Sequence, residues 1–308
     1  MSRHYIIGLL MLLSIAAIWG MGFVFQREGM DHIGPFTFNT IRFSIGALSV
    51  VPVIWVFSRN QPNETEKGAL LKGGVLAGLC LFCGINLQQF GMVETSAGKA
   101  AFITGLYMIL VPLIGLFMGQ VIGTKVWFAG ALAVAGMYLL SVTEGMQLAP
   151  GDGFVFLGAF FWAAQVMIVG HYSQKVNGPK FAFLQFVTVA VLSFPFAFAF
   201  EGIDPSGVAD AWFGLFFTGV VATGLAITFQ ILAQARVPSV QAALVMSLET
   251  VFGALGGWWI LNELFTDRML VGALLLMTAI LLAQLPGRRA QKPVRWPFRR
   301  WRGKRPKT

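Results

Sequence analysis

Apolar residues in this chain fall in long unbroken blocks rather than alternating with polar ones. Ten such blocks, about 6–26, 35–57, 70–91, 99–118, 124–142, 153–172, 181–200, 212–232, 240–261 and 269–285, are separated by short polar connections. Each is close to the roughly 20 residues that a helix needs to cross hydrocarbon. A barrel strand would alternate every second residue over a much shorter span, so the blocks predict helices. The expected fold class is an all-α integral membrane protein with ten transmembrane helices and no extramembrane domain. The first block follows Arg3 as a secretory signal would, yet it continues past Trp19 to Phe25. A signal's apolar region ends after about 7–15 residues, so this block is read as a retained helix.

Composition agrees with the pattern. Of 308 residues, 56% are hydrophobic and 11% charged, too little charge to cover a soluble domain of this length. Lys and Arg in short loops set orientation. With a cytoplasmic N-terminus, the inner loops hold Arg3, Arg59, Lys67, Lys72, Lys125, Lys175, Lys180 and Arg236, against Arg27, Lys99 and Arg268 outside. Both termini are then cytoplasmic, as in a bacterial inner membrane. The formal charge of +9 comes from residues 287–308, which hold ten Lys/Arg and no acid. That tail, with Trp296, Phe298 and Trp301, suits anionic lipid at the inner leaflet or serves only as a topology anchor. Charge alone gives no case for nucleic acid. Cys80 and Cys83 lie within one apolar block, away from His4, His32 and His171, and read as small packing residues rather than a metal or disulfide pair. No cofactor or metal is expected.

Displaced by about 142 to 143 residues, the sequence matches itself. Trp19 falls on Trp162, Arg42 on Gln185, Tyr107 on Glu249, "KAAFITGL" (99–106) on "QAALVMSL" (241–248), and Gly130 on Gly272. The halves 1–145 and 146–286 would each hold five helices. Because five is odd, the second must enter the membrane inverted, the arrangement by which many secondary transporters alternate access to a midplane site. Two inverted five-helix repeats around a central cavity are therefore expected, followed by the basic tail.

The polar residues inside the blocks supply the candidate chemistry. Glu249 falls in the middle of "VMSLETVFGALGGWW". An ionised side chain at the bilayer centre costs about 3 kcal/mol on insertion scales, and holding it neutral at pH 7 costs about as much. It is either charged and paired or neutral, which suits a coupling proton or a cationic substrate group. On a continuous helix Ala242, Met246, Gly253 and Gly256 share its face. Arg42 lies with Asn39, Gly46 and Ser49 on a polar and small stripe that must face the bundle interior. It could pair with Glu249, bind a substrate carboxylate or bond helix-end carbonyls. Asn86, Gln88 and Gln89 in the third block, and Thr228, Gln230 and Gln234 in the eighth, are as suited to joining helices as to binding. Trp19 and Trp162 are candidate walls of the central space.

The motifs "IWGMGFVFQ" (18–26), "FNTIRFSIGAL" (38–48), "LQQFGMVETSAGKAAFITGLYMILVPLIG" (87–115) and "VPSVQAALVMSLETVFGALGGWWILNELFT" (237–266) resemble the EamA-type, ten-helix branch of the drug/metabolite transporter superfamily. The resemblance covers residues from about 8 to 285. It implies a basket-like bundle that exports small metabolites, amino acids or drugs, with Trp19, Arg42 and Glu249 at characteristic positions. The chain departs from the family pattern in reading Glu249-Thr250 where Glu-Pro is usual. The acid near each repeat's end is present as Glu263 but replaced around Gln120-Val121. The substrate-binding set expected is Glu249, Arg42, Trp19, Trp162, Asn86, Gln89 and Tyr107, acting on a small-molecule substrate; the family divides between facilitators and proton-linked antiporters, and the resemblance leaves both open. The competing classes are an intramembrane enzyme, for which no HExxH, Asp pair or Ser-His arrangement is visible, and a sensor or scaffold, which leaves the repeat unexplained.

Overall fold

The computed structural model describes residues 3–58, 67–141, 149–202, 204–260 and 266–284; the basic tail and Glu263 lie outside them. Ten helices long and apolar enough to cross a membrane follow in order: α1 Arg3–Gly29, α2 Pro35–Val56, α3 Gly68–Glu94, α4 Gly98–Phe117, α5 Thr124–Ser141, α6 Pro150–Tyr172, α7 Gly178–Glu201, α8 Trp212–Gln234, α9 Ser239–Gly256 and α10 Asp267–Gln284. A helix satisfies its own backbone, which hydrocarbon cannot. Local chemistry starts several of them. Ser96 caps α4 by accepting from Lys99 N at 3.3 Å. Asn177 does the same for α7 from Lys180 N at 3.1 Å, with Pro179 in the first turn. No strand occurs among the described residues.

Tyr5 near the start of α1 donates to Gln284 Oε1 at the end of α10, 2.5 Å away. The described chain ends therefore share one end of the bundle, called here the terminal end; the other is the distal end. The helices pack in pairs that survive exchanging each for its counterpart five further on. α3 lies on α6 as α8 lies on α1; α4 on α6 as α9 on α1; α3 on α7 as α8 on α2; and α2 on α7, and α5 on α10, map onto themselves. The α5–α10 contact needs glycine on both sides. A Cβ at Gly136 would lie 2.7 Å from Gly272 O, and one at Gly272 2.6 Å from Gly136 O.

Two helices expected to be continuous are broken, at positions one repeat apart. α4 consists of Ala97–Gly105 and Tyr107–Phe117, hinged at Leu106. α9 consists of Ser239–Met246 and Glu249–Ile260, hinged at Ser247 and Leu248. At both, i to i+3 bonds replace the α ladder: Leu106 N to Ile103 O at 3.2 Å, and Leu248 N to Val245 O at 3.2 Å. Ser247 Oγ donates to Leu244 O at 2.8 Å, a back-bond that bends helices. Glu249 thus opens the second segment of α9 rather than sitting mid-helix. Ala242 and Met246 precede the break, while Gly253 and Gly256 follow it and lie against Gly20 and Met21 of α1.

At the distal end three helix ends are tied together by charge. Lys99 Nζ pairs with Asp152 Oδ2, Thr95 Oγ1 bonds Asp152 Oδ1, and Ala149 N donates to Asp152 Oδ2 at 2.9 Å. These contacts tie the end of α3, the first turn of α4 and the start of α6. Beneath them Phe23, Met92, Ala100, Ala101, Ile103 and Val155 form an apolar plug. The terminal end is tied by neutral groups, Tyr5 with Gln284 and, at 3.3 Å, Gln241 Oε1.

Candidate functional site

Between the two ends, at the level of the helix breaks, lies a small central chamber. α1 contributes Trp19, Phe23 and Gln26, and α2 contributes Arg42. Ile85 and Gln88 come from α3, Thr104 and Tyr107 from α4, Trp162 from α6, Ile227 from α8 and Glu249 from α9. Its volume of about 30 Å³ is water-scale, since one water's share of the liquid is about 30 Å³. That is far below the roughly 300–1,000 Å³ usual for small-molecule sites.

Each helix break delivers one polar side chain here. Tyr107 and Glu249 are the first residues of their second segments, and both are nearly fully buried, at 3% and 2% exposure. The Tyr107 hydroxyl faces the Glu249 carboxylate and interacts with it, but the approach falls short of a close bond: Glu249 Oε1, Tyr107 Oη and adjacent Thr250 Oγ1 have no partner within 3.5 Å. A buried polar atom left unpaired costs about 1–3 kcal/mol. Three of them on this stretch of α4 and α9 mark where a water or a ligand donor belongs. The backbone also presses in, for a Cβ on Gly20 would lie 2.5 Å from Glu249 O.

The two tryptophans that the repeat superposes meet in the chamber wall, ring centroids 6.0 Å apart at 53°. Their indoles bond to equivalent helices, Trp162 Nε1 to Gln88 Oε1 of α3 and Trp19 Nε1 to Ala222 O of α8, both at 2.9 Å. Ala222 O is available because α8 is π-wound over Phe217–Leu225. There the Ala226 N–H turns to Thr223 and Val221, leaving the carbonyl between them to the indole.

Arg42 and Glu249 do not form an ion pair; Lys99–Asp152 is the one salt bridge among the described residues. The guanidinium is instead held by neutral acceptors, Nε donating to Thr223 Oγ1 and Nη1 to Gln26 Oε1, each at 2.9 Å. It also lies 5.4 Å from the Phe43 ring centre. Arg42 is therefore a fixed cation in the wall, with a fork oriented by α1 and α8.

Of the seven residues singled out in the sequence, Trp19, Arg42, Tyr107, Trp162 and Glu249 converge on the chamber. Asn86 and Gln89 do not line it. Asn86 joins three helices, accepting from Asn39 Nδ2 at 3.1 Å and donating to Phe82 O and to Ser193 Oγ. Gln89 is fully buried with neither amide atom paired. Gln230 bonds Gln165 across α8 and α6 at 3.0 Å, and Gln234 bonds Val166 O. Sequence reasoning did not find Gln26 or Thr223. Gln26 was within reach, two helical turns from Trp19 on the same face; Thr223 was not, because the π-winding of α8 changes its phase.

Ten apolar, membrane-length helices around a small, partly polar chamber define an integral membrane protein. Comparison with known proteins gives the family. The EamA-like transporter family matches residues 6–142 and again 149–285, and the chain belongs to it. It is 32% identical over 272 residues to an uncharacterized transporter of Archaeoglobus fulgidus, covering 88% of this chain and 83% of that one. It is 22% identical over 280 residues to the uncharacterized transporter YoaV of Bacillus subtilis, covering 88% and 94%. A WAT1-related chloroplastic protein of Arabidopsis thaliana is 24% identical over 294 residues, covering 89% and 69%. One solved crystal structure superposes with a TM-score of 0.75 over 90% of this chain and 96% of its own at 15% identity, a likeness of fold.

Proposed function

We propose that this membrane transporter is a secondary exporter of small organic solutes that works by alternating access, with Glu249 as its central titratable group. The halves 1–145 and 146–286 act as inverted repeats, a reading supported by the packing pairs that survive exchange of counterparts and by the double family match. The observation that carries the site is the pair of helix breaks one repeat apart. Each places a polar side chain, Tyr107 or Glu249, at a small chamber where its polar atom is unpaired. Parting of the bundle would admit a solute between Trp19 and Trp162, with Arg42 as fixed cation and Glu249 as proton carrier or partner for an amine. Asn86 and Gln89 would act around this site as helix-joining residues. The outward direction rests on family resemblance. Cytoplasmic termini in a bacterial inner membrane rest on loop charge, and contact of tail 287–308 with anionic lipid on its ten basic residues.

The test is comparative profiling of the medium around cells producing wild type or Glu249→Gln at matched membrane abundance. Solutes enriched by wild type alone identify export and implicate the carboxylate. Equal enrichment by both, with unchanged pH dependence, removes Glu249 from the mechanism and keeps the transporter.

A further inference from the structure

A second cavity lies at the distal end, on the side of α3 turned away from the chamber, with a volume of about 630 Å³. That is within the range of about 300–1,000 Å³ usual for small-molecule sites. Phe36 of α2, Phe90 of α3, Phe154 of α6 and Phe200 of α7 wall it, and Glu94 and Glu201 stand at its edge. Phe154 and Phe200 are exposed on the flank of the bundle, so the recess opens sideways as well as outward.

The recess is built rather than left over. The last turn of α7, Ala197–Glu201, is π-wound, and it brings Glu201 round to the start of α2. There the Glu201 carboxylate accepts from Phe36 N at 2.8 Å, Thr37 N at 2.7 Å and Thr37 Oγ1 at 2.8 Å. Phe36 is fixed in turn, stacked on Phe196 at 4.9 Å and meeting Phe90 edge-on at 5.0 Å. With Glu201 engaged by α2, Glu94 is the carboxylate left over, without an ion pair or hydrogen bond among the described residues. The recess thus combines aromatic faces, an unmatched negative charge and access from the bilayer.

We propose that this recess binds an amphiphilic organic cation arriving from the membrane. Its ammonium centre sits beside Glu94 and against the phenylalanine faces, and its apolar part lies along Phe154 and Phe200. The site is separate from the chamber and does not depend on which solute the chamber carries.

The test is equilibrium binding of radiolabelled dodecyltrimethylammonium to the purified chain in phosphatidylcholine nanodiscs. Saturable binding is expected, displaced by excess unlabelled cation and not by dodecanol. Glu94→Gln, an exposed position whose change does not threaten folding, should weaken it about three- to tenfold, the scale of one exposed ion pair with its cation–π contacts. Phe200→Ala should weaken it comparably, and Asp267→Asn, an acid on α10 that lines neither the recess nor the chamber, should leave it unchanged. Displacement by dodecanol would reduce the recess to a crevice for any alkyl chain. Loss of binding in Glu249→Gln with none in Glu94→Gln would move the cation to the chamber. Either result overturns the proposal.

Discussion

Glycine 20 gives the sharpest test of how the chamber is walled. A Cβ there would lie 2.5 Å from Glu249 O, 2.6 Å from Gly253 N and 2.7 Å from Phe252 Cβ. Two of those atoms are backbone and cannot rotate aside. Ordinary carbon–oxygen contact is near 3.3 Å, so Gly20→Ala must push α1 and α9 apart by most of an ångström, and overpacking of this kind costs about 1–3 kcal/mol. Gly22, two residues along the same helix, is the internal control, since a Cβ there meets nothing closer than Gln26 Nε2 at 3.7 Å. Gly22→Ala should be neutral or stabilising, because alanine is the better helix former by about 1 kcal/mol. Thermal unfolding of both variants in the same detergent, followed by size-exclusion profile or tryptophan fluorescence, reads the difference directly. Gly20→Ala should unfold below wild type and Gly22→Ala at or above it. Equal stability of the two would refute the close approach of α1 to the break in α9, and with it the placement of Glu249.

Three further outcomes are expected. Lys99→Met or Asp152→Asn should each destabilise the protein by about 1–3 kcal/mol, since each removes one side of a nearly buried ion pair, and the exchange Lys99→Asp with Asp152→Lys should recover part of it; unfolding temperatures that do not move would discard the distal contact. Arg42→Lys should lower transport about tenfold at matched abundance, because an ammonium cannot reproduce the fork onto Thr223 and Gln26, while activity equal to wild type would make Arg42 a mere charge. Asp204 lies outside the membrane spans and caps the short helix Pro205–Asp210; bonds from the Ser206 hydroxyl and then the Ser206 amide hold its carboxyl below the usual carboxylate range. The cap is therefore present at neutral pH and lost only as pH falls through that lowered value, so the protection of amides 206–208, taken relative to their intrinsic exchange rates at each pH, should drop there in wild type and show no such step in Asp204→Asn.

Much of this was legible in the chain. Unbroken apolar blocks announce membrane helices, because the other structure that satisfies its backbone in lipid, a barrel, would alternate, and an acid or arginine inside a block must face inward. That reasoning found Glu249 and Arg42, and the self-match found Trp162 and Tyr107. What it could not find depends on helical phase. Gln88 and Gln89 differ by one residue, about 100° of rotation; the first accepts from Trp162 and lines the chamber, and the second does not line it. Nor did the blocks reveal the breaks at Leu106 and Ser247–Leu248, because a uniformly apolar stretch carries no periodicity to interrupt. The π-turns that place Thr223 and Glu201 leave no compositional trace either.

The hold on Arg42 has a consequence for how the protein is made. Its two partners are reached at very different times, Gln26 lying 16 residues before it and Thr223 181 residues after it. At the usual ribosomal pace of about 5–20 residues per second, Thr223 emerges roughly ten to forty seconds behind Arg42. During that interval the nascent first half holds a membrane-embedded cation with its second anchor not yet synthesised. Of the two acceptors, Gln26 is the one that lies in the nascent first half, and Thr223 completes the cradle when α8 is made.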